Sequence, residues 1–202
     1  MSPTTVYVDF LSFGGGDPSD RELTRKHLLE EFTKGLESAV DRRLSLSTLI
    51  LDEPFEDYLP LLLETRTLFT LGLYYSCVAM CGIVGERLLK NLFRSSVRIE
   101  LKDRIAVPQK SAFDQLERIE MRAITAFLRK TQALSEGAFR AAYQLQEIRN
   151  DYAHSRGEDS RGDSLKAMRW LDAIIGEAVS LLRHHPPSDG KSDERIKPND
   201  TV

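Results

Sequence analysis

The residues best suited to chemistry fall in one segment, Leu145-Gln146-Glu147-Ile148-Arg149-Asn150-Asp151-Tyr152-Ala153-His154. Ala138, Ala142, Leu145 and Tyr152 recur at helical spacing, and Arg149 stands in the same stripe where an aliphatic residue would normally sit. A guanidinium on an inner face needs an anion. Its planar fork suits either a carboxylate of the same fold or a substrate phosphate. His154 follows five residues later, about 140° around an ideal helix, so both cannot face one target from an undistorted helix. Either the helix ends near Ala153 and the imidazole turns back, or a second copy of the chain supplies the complementary group. Arg156-Gly157-Glu158-Asp159 favours a helix end there, with Gly157 as a cap. Histidine is the side chain that changes protonation near neutrality, as a general acid or base must. Glu86 is the remaining candidate. It shares a helix face with Ala79, Gly82 and Ile83, which turns it toward the interior, where Arg149 or His154 would be a suitable cation. The competing reading pairs it with Lys90, one turn on, at the surface.

Helices must position these residues. A segment capped by Ser19 or Asp20 carries Leu23, Leu28, Leu29, Phe32, Leu36 and Val40 at helical spacing. A short helix over 55–63, interrupted at Pro60, leads into a long one from about Glu64 to Phe93. Further helices are expected over Ala112–Lys130, with Phe113, Leu116, Ile119, Ile124, Phe127 and Leu128 inward, over 135–153, and over Ser164–His184. Thr4 to Phe13 alternates weakly before Gly14-Gly15-Gly16-Asp17-Pro18, giving an extended arm and turn over 1–18. The last residues, 186–202, are polar and almost without apolar anchors, which predicts a disordered tail. The expected architecture is all-α, a compact helical bundle over 64–185 with an N-terminal helical extension over 19–63.

With 202 residues, 41% hydrophobic and 29% charged, the chain can bury one substantial core. Its net charge of −3 excludes a polycation that coats nucleic acid. The charge is uneven, however: residues 1–64 carry 13 acidic and 6 basic side chains, whereas 87–130 carry 11 basic and 5 acidic ones. That middle segment reads as solvated helix faces or as a surface that attracts phosphate. Cys77 and Cys81, four apart in apolar surroundings, read as core residues; they make no disulfide framework and no four-ligand zinc site. Thr67 to Gly85 is uncharged and nearly membrane-length, but Gly72, Ser76, Gly82 and the charged continuation through Glu86, Arg87 and Lys90 place it in a bundle instead. With no secretory pattern at Met1–Asp9, a cytoplasmic protein is expected.

Arg149-Asn150, followed three residues later by His154 near a helix end, resembles the signature of the HEPN superfamily. The small-residue-rich stretch Leu71–Leu89, ending in Gly82-Ile83-Val84-Gly85-Glu86, is similar to a helix of an uncharacterised HEPN-like bacterial family. The resemblance spans roughly Glu64 to His184. It implies a homodimeric, metal-independent endoribonuclease that needs no cofactor, often a toxin or defence effector with an antitoxin or regulatory partner. It also implies roles: Arg149 on the scissile phosphate, His154 moving protons, and Asn150 orienting His154 or a phosphate oxygen. Arg156 stands where some of these toxins carry a modified tyrosine, which puts that mode of control in doubt. A non-catalytic interaction or nucleotide-sensing module of the same fold is the competing reading.

Overall fold

The computed structural model describes residues 18–46, 57–97, 99–101, 104–106, 110–113, 119–154 and 156–184. The extended arm and the polar tail read from the sequence lie outside the described residues, apart from Pro18. The chain divides after Ser45 into two units. In the first, α1 (Pro18–Leu44) is a single 27-residue helix. Its Leu28, Leu29, Phe32, Leu36 and Val40 form the expected stripe, and all of them are exposed.

The second unit is a bundle of five helices among the described residues: α2 (Leu59–Leu71), α3 (Tyr74–Ser96), α4 (Met121–Lys130), α5 (Glu136–Ala153) and α6 (Ser160–His184). The expected all-α bundle is therefore what the chain forms. The sequence boundary at 63/64 falls inside α2, whose Leu62, with the preceding Tyr58, is buried in the core of this unit. Pro60 sits in the first turn of α2, where its missing N–H costs nothing, so it starts the helix instead of interrupting it.

The single long helix expected over 64–93 is two helices. Gly72 takes φ 80°, a left-handed conformation that side chains avoid, and its N–H and that of Leu73 return to Phe69 and Leu68 at 3.0 and 2.8 Å. The helix expected from Ala112 is likewise shorter. A 3₁₀ turn spans Lys110–Phe113, and α4 begins only at Met121, because Glu120 is extended at ψ 139°. On α4 the buried stripe is Met121, Ile124, Thr125 and Leu128; Phe127 lies off it and Ile119 precedes the helix, so both are exposed against expectation. An antiparallel two-stranded ribbon, β1 (Ile99–Leu101) and β2 (Arg104–Ala106), pairs Ile99 with Ala106 and Leu101 with Arg104. It went unforeseen because three-residue strands carry too little alternation to register.

Helix α3 runs through the middle of the bundle and packs against α2, α4, α5 and α6. It buries Cys77, Val78, Cys81, Val84, Leu88 and Leu92, each fully buried apolar side chain contributing roughly 1.5–3 kcal/mol. Both cysteines are core residues, as expected, and the hydrogen bond that Cys81 donates to Cys77, then burial, push the Cys81 thiol well above its usual range. No described helix is long and apolar enough to cross a membrane.

Candidate functional site

Helix α5 is fixed at both ends. At its start the Ser135 hydroxyl accepts from the Ala138 N–H at 3.3 Å and donates to Glu177 of α6 at 2.8 Å, a cap that also ties two helices together. Its inner stripe is the expected one: Ala138, Ala142, Leu145 and Tyr152 are buried. At its end the chain leaves helical geometry at His154, whose N–H returns to the Asn150 carbonyl at 3.1 Å.

Two glycines let α5 approach α3. A Cβ on Gly85 would lie 2.7 Å from Leu145 Cδ2, and one on Gly82 would lie 2.6 Å from Arg149 Cγ. The aliphatic stem of Arg149 thus lies across the bare backbone of Gly82, in the inner stripe, while its head is carried outward, as long cationic side chains do. Arg149 lines an open groove of about 470 Å³ together with Gly82 and Glu86 of α3, Gln146 and Asn150 of α5, and Ile119 to Arg122 at the start of α4.

Three of the four residues singled out in the sequence therefore line one groove: Arg149, Asn150 and Glu86. The fourth, His154, does not. It is exposed at the C-terminal cap of α5, and the turn there leaves it outside the groove lining. Glu86 pairs with Lys90 at 2.9 Å, one helical turn on. This corrects both expectations in part: the partner is Lys90 and neither Arg149 nor His154, but the pair is no surface pair, because the Lys90 side chain is only 7% exposed.

Among the described residues the Arg149 guanidinium makes no hydrogen bond and no ion pair, so the internal carboxylate that was one of its two readings is not found there. Arg122, the other cation of the groove, is committed: it pairs with Glu147 and stacks 5.5 Å from the Tyr143 ring. Glu120 stands at the same rim. A groove of this kind offers one uncommitted, planar, five-donor cation beside an amide able to donate and accept. Gln146, Glu120 and Arg122 were missed in the sequence; only the basic excess of 87–130 pointed toward Arg122.

The end of α5 that carries His154 is held by a second set of contacts. The Tyr152 ring stacks on Tyr75 of α3 at 4.5 Å, and its hydroxyl donates to Asp163 of α6 at 3.1 Å. Gly157 belongs to this set. It has no positive φ and is not the helix cap; its value is its size, since a Cβ would lie 2.4 Å from the Tyr152 ring. The Arg156 N–H, which bonds the Asp151 carbonyl at 2.7 Å, completes the turn. No group of three metal-ligating side chains occurs among the described residues. No family model, curated protein or solved structure matches the chain.

Proposed function

We propose that this chain is an endoribonuclease of HEPN type, acting without a metal or cofactor, in which Arg149 holds the scissile phosphate. The observation that carries the reading is Arg149, half-buried, its stem seated on Gly82, lining an open groove and with its guanidinium uncommitted among the described residues. Asn150, on the same groove, orients the phosphate. The ribose 2′-OH gives its proton to His154 and attacks phosphorus. The bond to the 5′-oxygen breaks, that oxygen takes a proton, and a 2′,3′-cyclic phosphate is left. Charge developing on the phosphoryl oxygens is met by Arg149.

Since His154 lies outside the groove of its own chain, the reaction requires the His154 of a second copy, two such motifs meeting about a two-fold axis. A toxin or defence role in the cytoplasm, with an antitoxin or regulatory partner, belongs to the same reading. The position of His154 also favours a second reading, in which a single chain binds a phosphate ligand and cuts nothing.

The test is incubation of the purified protein with single-stranded and structured RNA in EDTA, with light scattering to weigh the species in solution. Cleavage by a species of about twice 22.9 kDa, abolished in His154→Ala without loss of helicity, is the expected result. Binding without cleavage by a monomer establishes the second reading instead.

A further inference from the structure

Arg122 lines the Arg149 groove from another helix, and its place there is set by α5. It stands in the first turn of α4, where the helix dipole disfavours a positive charge, so α4 itself gives no reason for a cation at this position. Two α5 side chains hold it. Glu147 accepts from its Nη2, and the Tyr143 ring centre lies 5.5 Å from its guanidinium carbon. Tyr143 and Glu147 are one turn apart and form a single row along α5.

The order of residues around α5 gives that row its meaning. At about 100° per residue, Gln146 and Asn150 form the next row, about 60° away, and Arg149 follows about 80° further on. Gln146, Asn150, Arg149 and Arg122 line one groove. The two arginines therefore flank a pair of carboxamides, Arg149 on the side of Gly82 and Arg122 on the side of Tyr143 and Glu147. Glu147 lines the groove on the Tyr152 side, so its pair with Arg122 straddles the crest of α5. With side chains 50% and 41% exposed, such a pair adds little to stability; what it supplies is direction. A guanidinium carries five donors in one plane, so one edge can hold a carboxylate while another meets a phosphate.

We propose that Arg122 is a second phosphate-binding residue of this groove, with Tyr143 and Glu147 as its positioning residues. The inference rests on the RNA reading above. A phosphate entering over the carboxamide row meets Arg149 on one flank and Arg122 on the other. Cations carried by two different helices fix its position in a way that one cannot.

The experiment measures binding by fluorescence anisotropy with a 2′-O-methyl RNA strand of about ten nucleotides, which lacks the internal nucleophile and stays intact, and measures folding by urea unfolding. Arg122→Gln should weaken binding about tenfold, the loss of one charged donor, with Arg122→Lys between it and the parent. Tyr143 tests positioning without a change of charge. Tyr143→Leu should weaken binding about threefold and Tyr143→Phe should match the parent, while in the Arg122→Gln background Tyr143→Leu should cost nothing more. Urea midpoints should stay near the parent's throughout. Parental affinity in Arg122→Gln, while Arg149→Ala weakens binding, overturns the proposal and leaves the RNA reading standing. Affinity that falls only in step with the urea midpoint makes Arg122–Glu147 a structural pair and overturns it as well. A Tyr143→Leu loss undiminished in the Arg122→Gln background assigns the ring to the RNA itself and overturns its positioning role. A parent protein that binds no RNA overturns the RNA reading and the role of Arg122 together.

Discussion

Helix α5 borders two grooves, and they are built on opposite principles. On the side of Tyr152 and Trp170, charges are spent on one another: Tyr152 donates to Asp163, Lys166 reaches the same carboxylate at 3.0 Å, and Arg156 stands 4.0 Å from Asp151. On the side of Gly82, Arg149 has no such partner among the described residues. A satisfied set of pairs fixes the α5–α6 turn and leaves little for a ligand. An uncommitted guanidinium contributes little to stability and gains most when an anion arrives. On the proposed reading, the contrast assigns ligand binding to the Arg149 side and stability to the Tyr152 side.

The largest expected effect follows directly. Arg149→Ala should lower RNA cleavage by on the order of 100-fold or more, the loss typical of removing one donor to developing charge, while chemical denaturation stays near the parent. Arg149→Lys should restore only part of the rate, because an ammonium lacks the planar fork. A large loss of stability in Arg149→Ala would break the division between the two sides.

The reverse pattern belongs to Gly157. A methyl group there meets the rigid Tyr152 ring at 2.4 Å, so Gly157→Ala should cost about 1–3 kcal/mol in urea unfolding. Gly82→Ala makes a useful comparison. Its clash falls on Cγ and Cβ of Arg149, at 2.6 and 3.0 Å, close to the α5 backbone, so α3 and α5 must part and the gain of up to about 1 kcal/mol in helix propensity is offset. Stability and phosphate affinity should fall together, since the Arg149 side chain is displaced at its root.

Much of this was written in the sequence, and what was not has identifiable causes. The α5 stripe of Ala138, Ala142, Leu145 and Tyr152 was legible because burial of a helix face leaves a 3.6-residue period. The departure of Arg149 from that period marked the groove. The split at Gly72 was hidden because apolar residues continue on both sides of it, and periodicity does not detect a left-handed residue. The partner of Glu86 was open because Lys90 and Arg149 are both chemically suitable, and only the packing of α3 against α5 decides between them. The start of α4 escaped altogether. Its place at the groove is a tertiary fact, and nothing in Glu120-Met121-Arg122 distinguishes it from other charged turns.

Glu86 lies between the two regimes, lining the Arg149 groove yet paired like a residue of the Tyr152 side. Glu86→Gln keeps the shape and removes the charge that meets Lys90. With Lys90 7% and Glu86 29% exposed, the loss should fall between that of a surface pair and a buried one, about 1–2 kcal/mol. Cleavage should remain within about twofold of the parent, since the carboxylate is committed to Lys90. A cleavage loss far exceeding the stability loss would assign Glu86 to the chemistry.

The smallest effect, and the sharpest in pH, is expected at Tyr152. Tyr152→Phe keeps the ring against Tyr75 and Gly157 and removes only the hydroxyl, so at neutral pH the cost should be about 1 kcal/mol. Asp163 retains Lys166 and is not left isolated. Burial, and then the hydrogen bond to Asp163, raise the Tyr152 phenol above its ordinary value of about 10. As pH climbs past about 10, the unfolded chain therefore gives up a proton that the folded chain still holds, and stability declines. The parent should lose stability more steeply than Tyr152→Phe across that range, so that the gap between their urea midpoints narrows. Curves that stay parallel would show that the phenol does not titrate differently in the fold. Cleavage near neutrality should survive the substitution, because Tyr152 lines the other groove. If it falls instead, the two faces of α5 are coupled, and the route is the turn that Tyr152 holds and His154 begins.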